Sequence, residues 1–255
     1  MSLVYSAGGV MPVPLYAWEF QSSNVDYIKN LSPLYSSVAG SLTLLPTYIN
    51  GKYGQAIRLT QNQTTGGANT WVIWSFSSTP IDLDSTGVTV MCWVNFNAFS
   101  GSFMSMYDSR SNVLGMSMTS SLVRTVQGFT GTQQLKNATS ISVANLTGTW
   151  YHIALTYDST SVILYRNGVA GTPVATGLTG GITINGIRIG SQGNGITPTS
   201  FAGYQCADCA IDDIRIYNTT LTSLQIKNIY MTQGMPSRTS LNSTGSGKAW
   251  LYTKS

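Results

Sequence analysis

Charged residues are scarce in this sequence. Asp, Glu, Lys and Arg make up 9% of its 255 residues, and the chain has a single glutamate, Glu19, and a single histidine, His152. The 13 basic residues are scattered without a run, so the net charge of +4 reflects few acids rather than a basic patch. We therefore expect no nucleic-acid partner.

Cysteine is also scarce, at three residues. Cys92 lies inside an apolar run, and Cys206 and Cys209 form a Cys-x-x-Cys pair. This number is too small for a disulfide framework. A zinc site needs a second pair or histidines, and His152 is the single imidazole of the sequence. We expect reduced thiols or one local disulfide.

Long apolar runs are missing, and no segment approaches the length needed to cross a bilayer. The first residues, MSLVYSAGGVMPVPLYAWEF, lack the basic start and continuous apolar stretch of a secretory signal. The sequence therefore predicts a soluble protein with no signal peptide and no membrane span.

What the sequence does have is 42% apolar residues, 11% aromatic residues and many Gly, Ser, Thr and Asn residues. This composition is typical of β-sandwiches with uncharged polar surfaces. Several segments alternate between apolar and polar residues with a period of two, which predicts antiparallel strands. The predicted strands are residues 88–96, 150–157, 162–166, 182–189 and 211–217.

Two further local patterns stand out. Asn167-Gly168 directly follows a predicted strand and predicts a hairpin, because a two-residue Asn-Gly turn matches the twist of paired strands. Residues 221–234 predict a short amphipathic helix that starts at Thr222, stops at Gly234 and covers one edge of the sandwich. The apolar positions of this helix are Leu221, Leu224, Ile229 and Met231.

Composition divides the chain into three parts. Residues 1–15 are predicted to form an N-terminal arm, and residues 16–234 a single β-sandwich domain. Residues 235–255 are rich in Ser, Gly and Thr, which are too small and polar to pack a core, so we interpret them as a tail. Trp250, Leu251 and Tyr252 give this tail a short apolar segment that can dock.

The predicted hairpin belongs to a longer pattern. It reads WYHIALTYD at 150–158 and LYRNG at 164–168. Further blocks lie before and after the hairpin, in an order that is characteristic of one family. They are YAWEF at 16–20, GQAIRL at 54–59, VTVMCWV at 88–94, IRIG at 187–190, FAG at 201–203 and IDDIRIY at 211–217. Over residues 16–232 the sequence resembles the laminin-G-like branch of the concanavalin A-like lectin/glucanase superfamily. The resemblance implies an all-β jelly-roll sandwich of two antiparallel sheets, which agrees with the strand pattern.

The resemblance leaves enzymatic activity open, because some members of the wider superfamily are glycanases that need two carboxylates around the scissile bond. The Glu-x-Asp-x-x-Glu arrangement of those members is absent here, and Glu19 stands alone. Asp212 and Asp213 are adjacent, but regular strand alternation would point them to opposite faces. We expect no catalytic residue and no enzymatic activity.

His152 is the other residue that invites a catalytic interpretation. No Gly-x-Ser-x-Gly motif accompanies it, and no nucleophile can be assigned to it from sequence. Alternation places it with Trp150, Ala154 and Thr156 on the less apolar face of a strand. We therefore interpret it as a residue of the framework.

The resemblance also implies a structural calcium ion, which many members hold near one edge of the sandwich with oxygen ligands. By resemblance, Asp26 and Asp212 would be its carboxylate ligands. The loop around Asp26, SSNVDYIKNLSP, departs from the family because it has one acid with Lys29 nearby. The alternative is that Asp212 shares a strand face with Ile214 and Ile216, as a buried carboxylate that binds backbone amides without metal.

Glycan binding needs exposed aromatic rings with hydrogen-bonding groups beside them. The candidate ligand-binding residues are Trp71, Tyr107 and Tyr204. Alternation puts Trp71 and Trp74 on opposite faces, so at least one of them is expected in the core. For each aromatic residue, packing in the core is the alternative to glycan binding.

These observations favour a non-catalytic structural or recognition module. We expect a minor structural protein of a virus particle, located at the virion or another extracellular surface, whose arms and sheet edges contact neighbouring protein subunits. A glycan-binding, lectin-like adhesion module is the alternative, and a glycan hydrolase is a remote one.

Overall fold

A computed structural model describes residues 5–6, 9–10, 12–20, 47–60, 72–76, 80–98, 100–107, 112–119, 122–127, 136–142, 147–175, 183–190, 208–232, 238–240 and 250–252. The described strands form two large antiparallel sheets, one of nine strands and one of six, with an apolar core between them. This confirms the predicted all-β sandwich. Strands and helices are numbered along the chain.

The nine-stranded sheet contains the longest strands. Its members are β3 (Tyr16–Trp18), β4 (Thr47–Asn50), β5 (Gln55–Leu59), β8 (Val88–Phe96), β13 (Trp150–Tyr157), β14 (Ser161–Arg166), β15 (Val169–Ala170), β16 (Val174–Ala175) and β19 (Cys209–Tyr217). Their order is β15-β14-β13-β8-β19-β5-β4, with β16 also on β14 and β3 also on β19. The predicted strands at 88–96 and 150–157 are confirmed, and they lie side by side at its centre.

The six-stranded sheet contains β6 (Val72–Ser75), β9 (Ser100–Tyr107), β10 (Asn112–Thr119), β11 (Leu122–Gln127), β12 (Lys136–Ser142) and β18 (Gly186–Ile189). Their order is β12-β11-β10-β9-β18-β6. The single strand predicted at 182–189 is instead divided. Its first part, β17 (Thr183–Ile184), pairs with β7 (Ile81–Asp82), which precedes the short helix α1 (Leu83–Thr86).

The predicted arm and tail each contain a short strand pair. In the arm, β1 (Tyr5–Ser6) pairs with β2 (Gly9–Val10), and in the tail β20 (Arg238–Ser240) pairs with β21 (Trp250–Tyr252). Trp250, Leu251 and Tyr252 therefore form a strand that pairs within the tail itself. The domain boundaries at 15 and 234 stay predictions.

The hairpin signals of the sequence are confirmed. Asn167 and Gly168 adopt φ values of 50° and 76°, which suit a type I′ turn, and they join β14 to β15. One turn earlier, the Asp158 carboxylate accepts from the backbone N–H groups of Thr160 and Ser161, at 2.7 and 2.6 Å, and so closes the turn between β13 and β14.

Helix α2 (Ser223–Met231) begins at the predicted N-cap. The Thr222 hydroxyl accepts from the Gln225 N–H, and the Gln225 side chain accepts from the Thr222 N–H, which makes a capping box. Gly234, the predicted stop, lies outside the described residues. Neither described helix has the length and apolarity that a bilayer crossing requires.

The predicted position and apolar face of α2 need correction. The helix covers the outer face of the nine-stranded sheet, not an edge, and Ile226 and Ile229 are its buried residues. Leu224 and Met231 are exposed, at 54% and 62%. At about 100° per residue these two lie on the opposite side of the helix from Ile226 and Ile229, and the sheet can contact one side only.

Candidate functional site

The predicted binding residues do not form one site in the described part of the chain. Trp71, Tyr204 and Asp26 lie outside the described residues. Tyr107 is fully buried, and its hydroxyl donates to the Trp74 carbonyl oxygen at 2.9 Å. Burial raises the pKa of Tyr107 well above its usual value. Tyr107 is therefore a core residue rather than an exposed platform for a glycan.

Asp212 lies at an irregular point of β19. The register between β19 and β8 shifts between Asp212 and Arg215, and Asp213 adopts a left-handed φ of 46°. This is a β-bulge, in which one extra residue is inserted into a strand. Ile211 and Ile214 consequently both face the core, although they are three residues apart.

The bulge overturns two expectations from regular alternation. Asp212 faces outward and does not share a face with Ile214. Asp213 does not point to the opposite face either, because both its carboxylate oxygens accept from the guanidinium of Arg215, from Nε at 2.8 Å and from Nη2 at 2.7 Å. Both groups of this ion pair are buried, at 6% and 7% exposure.

Trp93 is the centre of a polar and aromatic cluster on this outer face. His152 of β13, Trp93 of β8 and Asp212 of β19 are direct cross-strand neighbours in three adjacent strands. The loop between β4 and β5 and the end of α2 complete the surroundings. We call this cluster the Trp93 patch, and its members are Lys52, Tyr53, Trp93, His152, Asp212 and Tyr230.

Aromatic rings surround Trp93. The ring centroids of His152 and Tyr53 lie 5.3 and 5.7 Å from that of Trp93, both close to edge-on, and that of Tyr230 lies at 5.8 Å. Such distances and angles are favourable for aromatic contacts. Trp93 is 5% exposed, so its ring is largely enclosed.

The loop between β4 and β5 lies over the patch. The Tyr53 N–H donates to Asp212 Oδ2 at 2.8 Å, and a Cβ atom added to Gly51 would approach the same oxygen to 2.6 Å. The glycine is thus required for this close contact. The loop carries Lys52, whose Nζ lies 4.7 Å from the Trp93 ring centroid and 5.8 Å from that of Tyr53.

Asp212 has an unusual electrostatic environment. It is 1% exposed, and no described residue donates a hydrogen bond to its Oδ1. Burial, together with the charge of Asp213, raises the pKa of Asp212 to about 7, although hydrogen bonds from backbone N–H groups oppose the rise. Near neutral pH, Asp212 is therefore close to its midpoint of ionisation.

His152 has the opposite shift. It is 2% exposed, and its Nδ1 has no hydrogen-bond partner within the described part of the chain. Burial lowers the pKa of His152 to about 3, and the positive charge of Arg215 acts in the same direction. His152 is therefore a neutral imidazole at physiological pH. It faces away from the main core as predicted, but Trp93 and Tyr230 enclose it.

The described residues do not by themselves fit a calcium site. Calcium takes six to eight oxygen ligands. Asp212 offers one oxygen, since its other is bonded to the Tyr53 N–H. Among the described residues, no group of three His, Cys, Asp or Glu side chains is placed to hold a metal ion. Asp26 lies outside the described residues, so the predicted pair of calcium ligands, Asp26 and Asp212, stays a prediction.

The prediction for the cysteines is confirmed at two of the three residues. Cys92 and Cys209 are buried free thiols, which agrees with the reduced-thiol alternative at these two positions. Burial raises the pKa of the Cys92 thiol well above its usual range. Cys206 lies outside the described residues.

The sequence drew attention to Asp212 and His152 separately, but it did not predict Trp93, Lys52, Tyr53 or Tyr230 as site residues. The available signal was alternation along β8, which places Trp93 on the face opposite Cys92 and Val94. Combining it with the strand order β13-β8-β19 would have aligned Trp93 with His152 and Asp212.

Comparisons with known proteins agree with this architecture. Residues 67–227 match the family model described as the concanavalin A-like lectin/glucanases superfamily. No curated protein matches the sequence.

Similar solved structures include three binding domains. The binding domain of Paraclostridial Mosquitocidal Protein 1 is 13% identical with a TM-score of 0.62, over 90% of this chain and 56% of that one. The ligand-binding domain of botulinum neurotoxin serotype D, in complex with N-acetylneuraminic acid, is 13% identical with a TM-score of 0.58, over 89% and 52%. The binding domain of botulinum neurotoxin DC, in complex with rat synaptotagmin II, is 12% identical with a TM-score of 0.59, over 89% and 52%.

This chain thus spans about half the length of these structures, and at such low identity the likeness concerns the fold. The family model covers more than half of the chain and agrees with the two-sheet sandwich and with the sequence blocks. The chain belongs to the concanavalin A-like lectin/glucanase superfamily.

Proposed function

We propose that this chain is a non-catalytic recognition module that contacts a partner protein through the Trp93 patch. The observation that carries this proposal is the pair of buried atoms Asp212 Oδ1 and His152 Nδ1, for which the described residues provide no hydrogen bond. Leaving a buried polar atom unsatisfied costs about 1–3 kcal/mol. A binding partner that bonds these atoms would recover that free energy.

The arrangement of the acids supports recognition rather than hydrolysis. A two-carboxylate mechanism needs both groups at the scissile bond. Both oxygens of Asp213 are engaged by Arg215, so the pair Asp212 and Asp213 leaves one carboxylate oxygen open. We expect no turnover of aryl glycosides by the wild-type protein or by Glu19→Gln and Asp212→Asn variants, and turnover lost in either variant would contradict the proposal.

The partner that we infer is a neighbouring subunit of an extracellular-type assembly, with a virus particle as the specific case. Among the described strands, β4 pairs on one side only, and Ile49 within it is 38% exposed. An open strand edge permits pairing with another chain. The botulinum neurotoxin DC domain, which has the same fold, is recorded in complex with a protein.

Glycan binding is the second candidate. It is favoured by the complex of the serotype D domain with N-acetylneuraminic acid. A glycan array, read with and without calcium, tests this candidate directly. Binding that is lost in Asp212→Asn and kept in Asp82→Asn, where the same change is made at an exposed residue, would favour glycan over protein recognition.

The main test of the proposal is quantitative mass spectrometry of the protein purified from its native source. We expect a fixed stoichiometry with one or more partner proteins. Asp212→Asn should lower that stoichiometry, and the matched control Asp82→Asn should not. A protein that is recovered alone at all salt concentrations, with intact folding, would contradict the proposal.

A further inference from the structure

We propose that the Trp93 patch binds the ammonium group of a lysine side chain presented by a partner protein, in the place that Lys52 occupies in the free chain. This inference rests on the proposed recognition function and names its chemistry. The first observation is that the chain's own Lys52 places an ammonium group over the Trp93 ring.

Lys52 shows which group the patch accepts. Its ammonium nitrogen lies above the Trp93 ring and within reach of the Tyr53 ring, at 4.7 and 5.8 Å from the two centroids. The face of an aromatic ring attracts a cation, and tryptophan does so most strongly. Lys52 is an exposed residue of a loop, so its side chain can leave the ring without disturbing a strand.

The enclosure of Trp93 favours an ammonium group over a sugar ring. Trp93 is 5% exposed, and rings of Tyr53, His152 and Tyr230 stand around it. A sugar stacks on a broad open aromatic face. Withdrawal of Lys52 frees a space of the size of a lysine head group, which a second lysine fills.

The hydrogen-bonding groups of the patch also match an ammonium ion. Asp212 Oδ1 and His152 Nδ1 gain no hydrogen bond from Lys52 or from any other described residue. A carboxylate oxygen is an acceptor, and a neutral imidazole with its proton on Nε2 offers Nδ1 as an acceptor. An ammonium group has three donors and no acceptor, so its hydrogen-bonding capacity matches two atoms that can accept.

Charge points in the same direction. Without Lys52, the patch and its neighbouring ion pair contain two carboxylates, Asp212 and Asp213, against one guanidinium, Arg215. The ionised patch is then negative by one charge and attracts a cation. A phosphate or carboxylate ligand would be repelled by the same groups.

The test uses the full chain labelled with ¹⁵N and the indole N–H resonance of Trp93, assigned with a Trp93→Phe variant. The probe is Nα-acetyl-lysine methylamide, and the matched control is Nα-acetyl-norleucine methylamide, which has a similar stem without charge. We expect a saturable shift of the Trp93 resonance with the lysine probe, with Kd on the order of millimolar, and none with norleucine.

Three variants sharpen the test. Lys52→Met removes the internal competitor and should tighten binding of the lysine probe about two- to fivefold. Asp212→Asn should weaken it about tenfold, because the acceptor loses its charge. Lys227→Met removes an exposed lysine from α2 and should change Kd by less than about twofold, since it alters net charge alone.

Failure of the inference can be told apart from failure of the recognition function. Equal shifts with both probes, or no shift even in Lys52→Met, would overturn the ammonium site. If native partners still bind and Lys52→Met and Asp212→Asn leave their affinity unchanged, recognition stands and the lysine chemistry is wrong. If the lysine probe binds as expected but no partner co-purifies, the site chemistry stands and the recognition function is wrong.

Discussion

The two faces of the nine-stranded sheet are built from the same strands and bury very different side chains. On the inner face, Cys92, Val94 and Ile153 belong to one apolar core. On the outer face, their strand neighbours Trp93 and His152 lie with Asp212 in a buried polar patch. Burial alone therefore does not mark the structural core. What separates the faces is the chemistry of the buried groups, since Asp212, Asp213 and Arg215 are charged side chains buried on the outer face.

The outer face is itself divided. Under α2, the sheet residues Met91, Ala154, Tyr165 and Tyr217 pack with the helix as a second apolar cluster. Beyond Tyr230 the covering changes from the helix to the loop that carries Lys52. A helix held by apolar packing is a stable cover, whereas a single lysine over a ring is a weak one. A partner can therefore displace Lys52 from the patch more easily than it can displace α2 from the sheet.

The largest effect is expected from Arg215→Met on the outer face. The variant leaves the Asp213 carboxylate buried without its partner, and breaking a buried pair costs about 3–5 kcal/mol. Urea unfolding measures this loss. The double variant Asp213→Asn with Arg215→Met removes both charges and should recover most of it, and a double variant as unstable as the single one would contradict this account.

On the inner face, Leu155→Ala should destabilise by about 2–5 kcal/mol, because Leu155 is fully buried and its removal leaves a cavity. The free energy of unfolding should fall without a change in the pH profile of stability. A loss below about 1 kcal/mol would show that the inner face is less tightly packed than the contacts indicate.

The pH dependence of stability should separate the two shifted groups of the outer face. The pKa of Asp212 is raised from 3.8 to about 7, so between these pH values the folded state keeps a proton that the unfolded state has released. The stabilisation that comes from this protonated Asp212 is lost as pH rises from 3.8 to about 7. His152 has a pKa lowered from 6.5 to about 3, so its contribution is lost as pH falls below 6.5. The two slopes oppose each other between pH 3.8 and 6.5.

We therefore expect nearly level stability of the wild type in that range. Asp212→Asn should make stability rise with pH, and His152→Gln should make it fall, as measured by urea unfolding at several pH values. Lys52 and Tyr53 on the loop, Asp213 and Arg215 on β19, and Tyr230 on α2 also face these groups, and they stay unchanged in both variants. Identical profiles in all three proteins would refute the assignment.

Lys52→Met should have a smaller effect on stability, below about 1 kcal/mol, because a cation at an exposed site over a ring contributes no more than that. The same variant should tighten ligand binding as described above. A loss of several kcal/mol would show that Lys52 is part of the framework, and the contrast between a stable helix cover and a weak lysine cover would disappear.

The predicted calcium ion gives the last comparison. If Asp26 and Asp212 bind calcium, chelation by EDTA should lower Tm, and Asp212→Asn should remove that response. If Asp212 serves the patch without metal, Tm should be the same with calcium and with EDTA. Differential scanning calorimetry distinguishes the two results.

Local sequence signals predicted much of this fold. Residues 88–96 and 150–157 alternate regularly, and Thr222 with Gln225 forms a capping box over four residues, so short-range pattern was sufficient. The patch depends on long-range order instead. The sequence GKYG at 51–54 reads as an ordinary turn, and its contact with Asp212 follows only from the pairing of β5 with β19. No local pattern contains that information.

The bulge at Asp213 has a consequence for how β19 is composed. With Asp213 taken out, the remaining letters I-D-I-R-I-Y alternate without fault, and every isoleucine would still face inward. The sandwich can therefore be specified by a strand one residue shorter. Asp213 is an extra residue in this strand, and it adds to the outer face a carboxylate that pairs with Arg215.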